Sequence, residues 1–202
     1  MKRNQYTLGK PISFKGNGLH SGIPVTITMR PAPAGSGIIF RRIDLTDAPE
    51  VPAKSEFVTN TLRATTLERG DAKVFTVEHI LSALFALRID NCILETDAPE
   101  PPVADGGALT FSQMILEAGI VELEEQTDIL TLETSVAVYE DNKFITALPY
   151  DGLRITFTSI NPHPLLGTQM KDFTIDKETY IREIAPSRTI GFTWELDAMR
   201  QM

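Results

Sequence analysis

The chain has 202 residues, 42% of them hydrophobic, with a formal net charge of −8, so one large or two small domains can each hold a real core. That acidity (pI near 4.9) excludes a nucleic-acid binder, which needs a basic face for phosphates. The one cysteine, Cys92, has no internal disulfide partner and points to a reducing compartment.

In chain order, "MKRNQYTLGKPISF" has no apolar stretch behind its basic start, so it does not read as a secretory signal. The oiliest run, Ile80 to Leu87, is too short to cross a bilayer. A soluble cytoplasmic protein is expected. "VTITM" (Val25–Met29) alternates as a half-buried strand, "RPAPAGSG" interrupts it, and "IIFRR" resumes. "TVEHILSALFAL" then changes to helical spacing, with Val77, Leu81 and Leu84 on one stripe and Thr76 as the expected N-cap. "NCILET" (Asn91–Thr96) reads as a short buried strand, and Ala108–Ala118 as a second helix stopped by Gly119.

The acidic run "VELEEQTD" (Val121–Asp128) reads as a boundary. Beyond it the theme repeats: "KFITALPYDGLRITF" (Lys143–Phe157) is strand, Pro/Gly turn, strand, and "DKETYIREIA" (Asp176–Ala185) is helical. "WELDAMRQM", at the end of the chain, also reads as helix. The expected class is therefore α+β: two-layer units, each a strand meander packed on helices, at 1–125 and 126–202, the second incomplete.

Glu78 and His79 stand side by side in the first turn of an otherwise oily helix. The helix dipole there favours the neutral imidazole that a transition metal requires, and a carboxylate one position earlier could reach a metal-bound water. Against this, an adjacent Glu-His at a helix start is usually a solvated end. No H-E-x-x-H is present, and the chain has three histidines, His20, His79 and His163. His20 lies in a glycine-flanked turn, "GNGLHSG"; "VADGGA" is a turn; "SRTIGF" offers a cation, a hydroxyl and an aromatic; Lys143 follows an acidic turn. Each has a plain reading as loop or surface.

Their succession is more specific. "GLHSG", "RPAPAGSGIIFRR", "TTL…FTVEHILSAL", "DN", "PVADGG" and "RTIGF", in that order, resemble the UDP-3-O-acyl-N-acetylglucosamine deacetylases, the LpxC family. These are zinc enzymes that commit Gram-negative bacteria to lipid A synthesis. The likeness runs from about Tyr6 to the last residue. It implies that His79 is a Zn2+ ligand and Glu78 the general base, while Thr189 helps hold the oxyanion. Phe192 would lie along the substrate or its acyl chain, Lys143 would face the nucleotide-sugar end, and Leu19 and His20 would line the substrate, His20 without ligating. The implied fold is a pair of α+β units packed through their helices.

Two departures stand out. Gly107 and Thr110 occupy positions where the family usually shows Ser and Pro, and Ile190 replaces a Phe. The chain also stops at Met202 ahead of the family's "HKxxDxxGD" helix and a further histidine motif. The expectations are thus a zinc-dependent deacetylase of a UDP-linked acylated amino sugar, monomeric when complete, meeting a membrane at most peripherally through the acyl chain. The alternative is a non-catalytic fragment or binding module with an incomplete metal site. The 1–202 chain alone is expected to be inactive, with less than stoichiometric zinc and its less stable part after about Asp128.

Overall fold

The computed structural model describes residues 2–161 and 163–192. β1 (Lys2–Leu8) and β2 (Ile12–Asn17) lead into β3 (Pro24–Pro31), in which Val25, Ile27 and Met29 are buried at alternate positions. β4 (Ile38–Arg42) and β5 (Glu50–Pro52) follow. Next come a 3-10 turn at Ser55–Phe57 and a small antiparallel sheet of β6 (Val58–Asn60), β7 (Thr66–Arg69) and β8 (Ala72–Phe75). Then α1 (Glu78–Ala86), β9 (Cys92–Thr96) and α2 (Leu109–Ala118) close this part of the chain.

The α+β class is as expected, but the main sheet is not a simple meander. β9 inserts between β3 and β4, antiparallel to one and parallel to the other, giving the order β2-β3-β9-β4-β5. A parallel pair needs a crossover connection, and the segment carrying α1 supplies it. Ile80, Ala83 and Leu84 of α1 and Phe111 and Ile115 of α2 are buried in one core with Ile27, Met29, Phe40 and Leu94 of the sheet. Each large apolar side chain so buried stabilises by about 1.5–3 kcal/mol. α2 ends where expected, at Gly119, whose φ of 79° suits a glycine.

Thr76 is not the N-cap. Val77 holds that position without a side-chain cap, and Thr76 lies in left-handed backbone at φ 57°. Its hydroxyl is engaged elsewhere, as described below.

The acidic run is no loop: β10 (Ile120–Asp128) pairs antiparallel with β1, from Leu8↔Ile120 to Lys2↔Asp128. Beyond it lie two hairpins, β11 (Val136–Glu140) with β12 (Lys143–Ala147), and β13 (Arg154–Ile160) with β14 (Thr168–Thr174). The two strands read between Lys143 and Phe157 thus belong to different hairpins. Asp141, at φ 51°, makes the turn that folds β12 back on β11, which leaves the "PYDG" stretch as a link. Leu148, Ile155 and Phe157 are 64%, 46% and 64% exposed.

The helix expected at Asp176–Ala185 is present over residues 177–184, as a short α turn followed by a wider π turn. Asp176 caps α3 (Lys177–Thr179) by accepting from the Thr179 N–H at 2.7 Å, and a π turn at Tyr180–Ile184 follows. Tyr180 is buried against α1, its hydroxyl 2.8 Å from Ser82 Oγ. The helix read from Trp194 onward lies outside the described residues. Among the described residues no helix is long and apolar enough to cross a membrane.

Candidate functional site

The four loop motifs are tied to one another by hydrogen bonds. Their centre is a residue that the sequence did not single out. Glu100 is 1% exposed, and its carboxylate accepts from the His20 N–H (3.0 Å), the Ser21 N–H (2.8 Å) and the Thr76 hydroxyl (2.8 Å). Burial pushes this carboxyl's pKa up, but the hydrogen bonds from Ser21, His20 and Thr76 outweigh it and hold the group below the ordinary value. Gly18 passes so close that a Cβ there would lie 2.4 Å from a Glu100 oxygen. One signal was available: Glu100 is the single charged residue within "APEPPV", a segment too apolar and proline-rich to be an ordinary solvated turn.

The next link joins Asn17 to the "VADGG" turn, where the Val103 N–H donates to the Asn17 carbonyl at 2.8 Å. That turn in turn holds the "SRTIGF" segment. The Thr189 N–H donates to the Gly106 carbonyl at 2.9 Å, and the Ala108 N–H to the Ala185 carbonyl at 3.0 Å. Gly107 sits under this contact, since a Cβ there would meet the Ser187 and Ala185 carbonyl oxygens at 2.7 and 2.9 Å. The glycine thus permits close approach of two backbones.

Thr76 leads directly into the acid–imidazole pair. Glu78 and His79 both lie in the first turn of α1 and are half-buried, with Ile80 behind them in the core. Glu78 Oε2 accepts from the Thr65 N–H at 3.1 Å, which ties the carboxylate to the "TTL" strand. Thr189 is exposed and Leu19 half-buried, while His20 is exposed and held by its amide rather than its ring. Phe192 stacks on His163, ring centroids 5.8 Å apart. Lys143 begins β12, is exposed, and among the described residues has no hydrogen bond or ion pair to these loops.

The structure thus brings the "GLHSG", "TVEH", "PVADGG" and "RTIGF" segments together through backbone and carboxylate bonds, and does not bring Lys143 to them. Among the described residues no group of three or more His, Cys, Asp or Glu side chains is arranged to hold a metal ion. The side chains that these linked segments carry include a carboxylate, an imidazole and a hydroxyl.

An α+β chain whose linked segments carry an acid–imidazole pair and a loop threonine has the residue types that a hydrolytic enzyme site uses. Residues 5–202 match the family model described as LpxC, UDP-3-O-acyl N-acetylglycosamine deacetylase, and the chain belongs to that family. It is 44% identical over 199 residues to the bifunctional enzyme LpxC/FabZ of Chlorobaculum tepidum, covering 97% of this chain and 42% of that protein. It is 41% identical to the UDP-3-O-acyl-N-acetylglucosamine deacetylase of Myxococcus xanthus, covering 98% of this chain and 63% of the relative. The deacetylase of Legionella pneumophila strain Corby is 40% identical, with 98% and 66% covered. The chain therefore spans between about two-fifths and two-thirds of the length of these relatives.

Proposed function

We propose that the protein containing this chain is a deacetylase that removes the N-acetyl group from UDP-3-O-acyl-N-acetylglucosamine, in lipid A synthesis in the cytoplasm of a Gram-negative bacterium. The observation that supports it most is the run of hydrogen bonds, through Glu100, Asn17 and Gly106, that links the "TVEH" segment carrying Glu78 and His79 to the three other motifs in a chain of this family. In this reading Glu78 takes the proton from the attacking water, with one carboxylate oxygen steadied by the Thr65 amide. The Thr189 hydroxyl donates to the carbonyl oxygen as it gains charge, on a backbone anchored to Gly106. Water adds to the acetyl carbon and the C–N bond breaks. Glu78 returns its proton to the nitrogen as that bond breaks, and acetate and the free amine leave, the remaining water proton passing from the new acid to solvent. Leu19, His20, Phe192 and Lys143 are assigned to the substrate, Lys143 to its nucleotide end.

Zinc is proposed as the cofactor of the whole protein, with His79 as one ligand. Among the described residues no group of three or more His, Cys, Asp or Glu donors includes His79, so by themselves they do not fit a zinc site and no step is routed through the metal. We propose also the division at 125/126, with β10 crossing it, a monomeric whole protein, and at most peripheral membrane contact through the substrate's acyl chain.

The test is acetate release from the UDP-linked substrate by the full-length protein, with metal content measured in parallel. Glu78→Ala is expected to lower turnover by about a hundredfold or more and to keep the metal, whereas His79→Ala loses both. Near-normal turnover in Glu78→Ala would refute the assigned base. A full-length protein that binds the nucleotide sugar but neither holds zinc nor releases acetate is the binding-module reading.

A further inference from the structure

The acid–imidazole pair sits immediately after a residue in a conformation that it would not choose. A β-branched side chain at positive φ is disfavoured, yet Thr76 lies at φ 57°, two residues before Glu78. Two bonds from adjacent residues hold it there: the Phe75 N–H donates to the Pro99 carbonyl at 3.0 Å, and the Thr76 hydroxyl donates to Glu100. Val77 provides no side-chain cap, so besides the packing of Ile80 and the Glu78–Thr65 bond, the approach of the chain to the first turn is set by these two bonds. The same carboxylate gathers the His20 and Ser21 amides across the "GLHSG" loop. It is buried, has no cationic partner among the described residues, and bridges three segments far apart in sequence.

We infer that Glu100 is a positioning residue for the proposed deacetylation. It acts through Thr76 on the aim of Glu78 and His79, and through the His20 and Ser21 amides on the loop that faces the substrate. This rests on the deacetylase reading of the same site. Glu100 itself touches neither substrate nor reacting atoms. Its effect should fall on kcat more than on KM where it works through Thr76, because that path leads to the base and the ligand.

The decisive variant is Thr76→Val in the full-length protein. It keeps shape, β-branching and backbone preference, loses only the hydroxyl, and leaves Glu100 its amide partners, so it should fold. Turnover should fall about tenfold or more with KM within about threefold of wild type, and Thr76→Ser should restore it. Glu100→Gln, if it folds, should lower kcat and also raise KM. Amide hydrogen exchange provides a readout independent of activity: the Leu81 N–H closes the first turn of α1 on the Val77 carbonyl at 3.0 Å. Its protection should drop by about tenfold or more in Thr76→Val, and that of His20 and Ser21 in Glu100→Gln.

If wild type turns over substrate and Thr76→Val keeps kcat within about twofold, the positioning role is overturned while the deacetylase reading stands. If wild type releases no acetate, the deacetylase reading fails instead. Glu100 is then judged by exchange alone, where unchanged protection at Leu81 overturns its action on the helix start and lost protection supports it.

Discussion

Tyr180 should be the side chain that holds residues 177–189 onto the rest of the protein. It is 3% exposed among buried side chains of the common core, and its hydroxyl meets Ser82 on α1. Truncation of a buried aromatic to alanine costs about 3–5 kcal/mol through lost transfer energy and the cavity left behind. Tyr180→Phe keeps the ring and loses one hydrogen bond, a loss of about 0.5–1.5 kcal/mol. Ile160→Ala, at a side chain 80% exposed, should stay within about 0.5 kcal/mol of wild type. Urea unfolding of the three variants gives these differences directly. Amide exchange gives the location: the Ala108 N–H, bonded to the Ala185 carbonyl, should exchange faster in Tyr180→Ala while α1 amides away from Ser82 do not. A Tyr180→Ala protein within about 1 kcal/mol of wild type would refute the assignment of this tyrosine as the anchor.

Glu100 makes an acid-range prediction. Its folded pKa lies below the ordinary 4.5, so the stability it contributes is present above that value and is lost as pH falls through the folded one. Glu100→Gln should therefore flatten the acid limb of a stability–pH curve, and an unchanged limb counts against the network. Cys92, buried and with its pKa pushed up to about 12, should not react with a thiol reagent at pH near 8 until the protein is unfolded, which a colorimetric disulfide exchange assay reads. Arg42, with its side chain 7% exposed, is bidentate on Asp44 and donates to the Lys73 carbonyl. Arg42→Lys should cost about 1.5–3 kcal/mol in denaturant unfolding, and Arg30→Lys, half-exposed on Glu95, much less.

What was legible in the sequence was local. The alternation of Val25, Ile27 and Met29, the oily stripe behind Glu78, and the glycine after Ala118 each carry their signal within a few residues, and each was found where it was read. What was not legible depends on partners far away. Nothing in "VELEEQTD" states that it will pair with Lys2–Leu8, and nothing near Thr76 states that its hydroxyl will be drawn from a capping role to Glu100. The two strands within Lys143–Phe157 were found as read, but the strands they pair with were not legible, because those lie outside the stretch and the Asp141 turn precedes it. At the site, Glu78 and His79 could be placed on a helix start from spacing alone. The backbone links between the other motifs, such as Thr189 to Gly106, were not legible, because backbone amides and carbonyls leave no mark in side-chain pattern.

The pairing of β1 with β10 also sets a schedule for synthesis. Leu8 waits for Ile120, and Lys2 for Asp128, so β1 leaves the ribosome more than a hundred residues ahead of the strand that covers it. At about 5–20 residues per second that is a delay of roughly 6–25 s, during which an unpaired strand edge can template on a neighbouring nascent chain. Lys2 and Arg3 put two like charges at the head of this waiting strand, and the same charge on another copy's β1 repels it. The acidic β10 (Glu122, Glu124 and Glu125 among its residues) attracts what β1 repels. Charge thus favours closure within one chain over association of two β1 strands.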